Sequence, residues 1–66
     1  MDKEKVIQSL GKLDIDKVIY LTASMHIKEN DWVHGEAVRS FMDSGRTCIE
    51  YSDGAWFHYT AGGAWY

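Results

Sequence analysis

The sequence holds no proline, a single cysteine, few basic residues and no long apolar run, and each shortage excludes something. With one cysteine no intrachain disulfide can staple the fold, and a lone thiol at Cys48 suits a reducing compartment. No stretch approaches the roughly 20 apolar residues of a membrane-spanning helix. The start, Met1-Asp2-Lys3-Glu4-Lys5, is a charged mixture with no apolar run after it, which is not the pattern of a signal peptide. A soluble, cytoplasmic protein is the expectation. Lys and Arg total 7 against 10 Asp and Glu, a net charge of −3, so no general attraction for phosphates exists and broad nucleic-acid binding is disfavoured. Repeats, Pro-rich linkers and low-complexity tracts are absent as well. Residues 1–66 therefore read as one small domain, too short for a second core.

What is present is apolar and aromatic: 45% hydrophobic residues and 14% Phe, Trp and Tyr. Asp2 is a candidate N-cap for a helix carrying Val6, Ile7, Leu10 and Leu13 at helical spacing, with Gly11 as its stop. The run Asp16 to Ala23 is dense in β-branched and aromatic residues and reads as a buried strand, both of its alternate residue sets being largely apolar. His26 to Asn30 reads as a connection. Asn30 or Asp31 could cap a second helix, with Val33, Ala37, Val38, Phe41 and Met42 as its stripe and Gly45 as its end.

The strongest local signal follows. Asp53-Gly54 stands between the β-rich runs Thr47–Ser52 and Ala55–Thr60, which predicts a hairpin on a two-residue type I′ turn. That turn places Tyr51 opposite Trp56 and Ile49 opposite His58 on one face, with Cys48, Glu50, Phe57 and Tyr59 on the other. Ala61-Gly62-Gly63-Ala64 permits another tight turn before Trp65-Tyr66. The predicted fold class is α+β: two short helices packed on a small antiparallel sheet of about three strands, with a C-terminal Asp-Gly hairpin.

Chemistry is sparse. His26, His34, His58 and Cys48 match no short metal-ligand spacing, and His26 and His34 read as exposed polar residues. The hairpin register puts Cys48 and His58 on opposite faces, which argues against a thiol nucleophile with a histidine base. Gly62-Gly63 lacks the lysine and following helix of a phosphate loop. No catalytic residue, metal site or cofactor is expected. The sequence instead carries more aromatic surface in its last twenty residues than so short a chain can cover. The expected function is a non-enzymatic protein–protein interaction module of the regulator or inhibitor type, self-associating as a homo-oligomer and binding another protein through Tyr51, Trp56, His58, Trp65 and Tyr66. Two alternatives remain: a nucleic-acid-binding protein resembling a winged helix in layout, with Arg39 and Arg46 as its cations, and a metal- or small-molecule-binding protein with a site between subunits.

Overall fold

A computed structural model describes residues 2–66. Helix α1 spans Lys3–Leu10 and α2 spans Lys17–Glu29; strands β1 (Ala37–Asp43), β2 (Arg46–Tyr51) and β3 (Trp56–Tyr59) form one antiparallel sheet in that order. Two helices on a three-stranded sheet is the α+β architecture the sequence predicts. The segments that supply it differ from the expected ones.

Helix α1 follows its sequence signals. The Asp2 side chain accepts from the Glu4 N–H, Gly11 closes the last turn onto Gln8 and Ser9, and Val6 and Leu10 enter the core. Residues 16–23, by contrast, belong to a helix. The Asp16 carboxylate caps it by accepting from the Ile19 N–H at 2.9 Å, and the segment runs on through His26 to Glu29. Ile19, Ala23 and Ile27 form its buried stripe, and each buried isoleucine contributes roughly 2 kcal/mol. Val18, Leu21 and Met25 lie exposed on the opposite side. This second apolar stripe hides the helical period and makes the run look β-like. Asn30 closes α2, its side-chain amide donating to the His26 carbonyl, and does not open a new helix.

Residues 31–45 hold no helix. Ala37–Asp43 is strand β1, and Ser44-Gly45, with φ of 52° and 76°, is the type I′ turn joining it to β2. A winged-helix layout is therefore not formed, and Arg39 and Arg46 sit on strands.

The β2–β3 hairpin is present with its register displaced by one residue. Glu50 pairs with Trp56, Ile49 with Phe57, Cys48 with His58 and Thr47 with Tyr59. The cause is a three-residue loop, Ser52-Asp53-Gly54. The Gly54 N–H donates to the Tyr51 carbonyl, Gly54 takes φ 91°, and the Tyr51 N–H donates to the Ala55 carbonyl. The Asp53 carboxylate favours this longer loop by accepting from the Ala55 N–H. One residue of slip moves every side chain of β3 to the other face relative to β2. The same loop form recurs at Ala61-Gly62-Gly63, where Gly63 donates to Thr60 and Thr60 donates to Ala64, so Trp65 and Tyr66 fold back along β3.

Ile49, Tyr51, Phe57 and Tyr59 consequently face the helices, and Cys48, Glu50, Trp56 and His58 face away. The core consists of Val6, Leu10, Ile19, Ala23, Ile27, Trp32, Ala37, Ile49, Tyr51 and Tyr59.

Candidate functional site

Both helices cover the inner face of the sheet, and among the described residues no element lies over the outer one. Register assembles that outer face. Phe41, Cys48, His58 and Tyr66 form one cross-strand row, and Arg39, Glu50 and Trp56 form the next. Trp56 lies diagonally between Phe41 and His58, at ring distances of 5.3 and 5.2 Å, and Tyr66 stacks on His58 at 4.4 Å. Trp56 and Tyr66 remain 46% and 60% exposed. Charges frame the rings: Arg39 Nε donates to Glu50 with its guanidinium over the Phe41 ring, and His58 Nε2 meets the Asp43 carboxylate at 2.9 Å.

Three of the five residues expected to bind a partner, Trp56, His58 and Tyr66, thus share one face. The other two do not join them. Tyr51 lies on the inner face with no exposed surface, its hydroxyl 2.7 Å from that of Tyr59. Trp65 packs half-buried against the core, stacked on His26 at 5.0 Å. The alternation that carries Tyr66 to the outer face carries Trp65 inward. Phe41 joins this face because its segment is a strand and not the helix that its apolar spacing suggests, and Arg39 and Asp43 reach the face for the same reason.

The slipped register also pairs Cys48 directly with His58, which the expected turn had separated. The pairing does not make a thiol nucleophile. Cys48 is fully buried between its neighbours, and that burial, together with the Asp43 carboxylate, raises its pKa and favours the unreactive thiol. Both ring nitrogens of His58 are turned elsewhere, Nε2 to Asp43 and Nδ1 to the Tyr66 backbone oxygen.

The histidines on the inner side are not simple exposed polar residues either. His26 is buried in a box of Trp32, Phe57, Tyr59 and Trp65, with Nδ1 2.7 Å from the Tyr59 hydroxyl. Desolvation, reinforced by nearby His34, lowers its pKa to about 4. His26, Tyr59 and Tyr51 therefore form a buried hydrogen-bonded chain in which burial pushes the Tyr51 phenol up to about 12. His34 pairs with Asp53 at 2.8 Å and anchors the β2–β3 loop. Among the described residues no three His, Cys, Asp or Glu side chains converge as metal ligands, and no helix is long and apolar enough to cross a membrane.

Fold and site together define a two-layer α+β domain with an uncovered aromatic sheet face. Comparison with protein-family models, curated proteins and solved structures returned no match.

Proposed function

We propose that this chain is a non-enzymatic protein-interaction module, of the regulator or inhibitor type, whose outer sheet face docks a partner protein. The observation that carries the reading is the cluster of Phe41, Trp56, His58 and Tyr66 on the side of the sheet away from both helices, with Trp56 and Tyr66 open to solvent. Large aromatic rings ringed by charge, here Arg39, Asp43 and Glu50, are the composition of interaction hot spots. They cost little entropy to immobilise because their neighbours already hold them. Self-association belongs to the same reading, since pairing two copies gives a small chain more core than it can build alone.

The test compares the native protein with Trp56→Ala and Tyr66→Ala as bait for affinity capture from its source cells, folding being monitored by circular dichroism. The reading expects one protein retained by the native chain and lost by both folded variants. A partner held equally by all three would overturn it.

A further inference from the structure

The open edge of β1 is a surface distinct from the aromatic face. We propose that two copies of this chain pair β1 with β1, antiparallel, about a two-fold axis passing through Phe41, so that their sheets become one. The proposal rests on the self-association reading above and assigns it a strand and a register.

Backbone geometry makes the edge available. The type I′ turn at Ser44-Gly45 makes Asp43 and Arg46 a hydrogen-bonded pair, so Phe41 and Arg39 also bond toward β2. The N–H and C=O groups of Ser40 and Met42 then point out of the sheet. Helix α1 guards only the strand's beginning, where the Ala37 N–H donates to Ser9 Oγ and a bulge precedes Arg39. From Arg39 to Asp43 the edge is regular and carries neither proline nor lysine, the usual protections of an edge.

Outward-pointing residues must meet one another, which leaves two-fold registers centred on Ser40, Phe41 or Met42. Centring on Ser40 sets Arg39 against Phe41 of the second copy; centring on Met42 sets Asp43 against Phe41 and Arg39 against Gly45. Only the Phe41 centre sets Arg39 opposite Asp43 of the second copy, and by symmetry it does so twice. The side chains are ready for this pairing. Arg39 uses Nε on Glu50 and keeps its terminal nitrogens, Asp43 uses Oδ2 on His58 and keeps Oδ1, and the two side chains are 60% and 47% exposed.

Both faces of the joined sheet gain from this register. On the outer side Phe41 meets its own copy, so the row Tyr66, His58, Cys48, Phe41 continues unbroken across the axis. On the inner side Met42, 64% exposed in the lone subunit, comes to lie beside Ser40 of the second copy. Met42 there borders an open cleft of about 390 Å³ together with Asp14, Ile15, Asp16, Ser40 and Thr47 of its own subunit, and the second copy's strand would close one side of that cleft.

Sedimentation equilibrium with charge variants tests the register. The native chain is expected to dimerise reversibly. Arg39→Asp and Asp43→Arg each set like charges across the axis and should each weaken the dimer about tenfold or more. An equimolar mixture of the two variants makes both cross-pairs complementary again and should restore association. Ser40→Pro removes an outward N–H without touching the β1–β2 ladder and should give a monomer, a check that holds if a charge variant folds poorly. In the native protein the Ser40 and Met42 amides should exchange more slowly as concentration rises. A native monomer at millimolar concentration overturns the proposal, as does a dimer unmoved by the charge variants and by their mixing. If such a dimer is weakened by Trp56→Ala, self-association lies on the aromatic face and the edge register is wrong. Loss of the edge dimer with partner capture by Trp56 intact leaves the outer-face reading standing.

Discussion

Tyr66 lies flat on His58, ring centroids 4.4 Å apart and planes 5° from parallel, while the preceding residue, Trp65, stacks on His26 on the other side of the sheet. Two consecutive residues thus hold the two faces of one edge. Each stacked pair is worth about 0.5–1.5 kcal/mol. Tyr66→Ala should therefore lower unfolding stability by about 1 kcal/mol in urea titration, and Trp65→Ala, which also opens the box around His26, by about 3 kcal/mol. Equal effects would show that the two stacks do not differ in burial as described.

His26 makes the fold sensitive to acid. Its folded pKa, about 4, lies below the ordinary value of 6.5, so the unfolded chain binds the proton more readily. The contribution of the neutral imidazole is complete above about pH 6.5 and is lost as pH falls toward 4. That lowering corresponds to a stability difference on the order of 3 kcal/mol between the two ends of the window. Urea midpoints should fall steadily from pH 7 to pH 4.5, and His26→Leu should flatten that slope. Asp53 acts in a lower window. The Ala55 N–H and His34 hold its carboxyl below the ordinary range, so its contribution disappears only when that carboxylate is protonated.

Cys48 should be silent in the native state. It has no exposed surface, and Phe41 and His58 flank it in the register. Ellman's reagent is expected to label it at least about a hundredfold more slowly in buffer than in denaturant, because reaction must wait for the sheet to open. Labelling at the unfolded rate would disprove the outer-face packing.

Gly35 holds the loop before β1 in a conformation that other residues resist. Its φ is 83°, and a Cβ there would collide with Ser52 Oγ. Gly35→Ala is expected to cost about 1–3 kcal/mol. The hydroxyl of Ser52 can rotate away, so Ser52→Ala in the same chain should recover only a minor part, as thermal melts of the two variants would reveal.

The parts of the fold legible in the sequence are those governed by neighbours along the chain. Asp2 and Gly11 bound α1 through hydrogen bonds within a few residues, and the β-rich runs on either side of Asp53-Gly54 do form a hairpin. Where two local signals compete, the outcome is not legible. Asp16–Ala23 carries both a helix cap and strand-like composition. The stripe Ile19, Ala23, Ile27 that decides the matter extends past the apparent end of the run. Residues 31–45 fail in the opposite sense: apolar spacing suggests a helix, yet Ser44-Gly45 is a turn that only a strand partner makes useful. The two errors exchange a strand for a helix, and for that reason the fold class survives them.

The candidate site divides in the same way. An excess of aromatic surface near the C-terminus follows from composition and length alone, whatever the fold. Which rings reach solvent depends on the register of one hairpin, and that register turns on whether its loop holds two residues or three. Hydrogen bonds of Asp53 to Ala55 and His34 select three. Tyr51 is thereby placed in the core and Trp56 left outside, and because His34 lies nineteen residues away along the chain, that choice belongs to the tertiary structure.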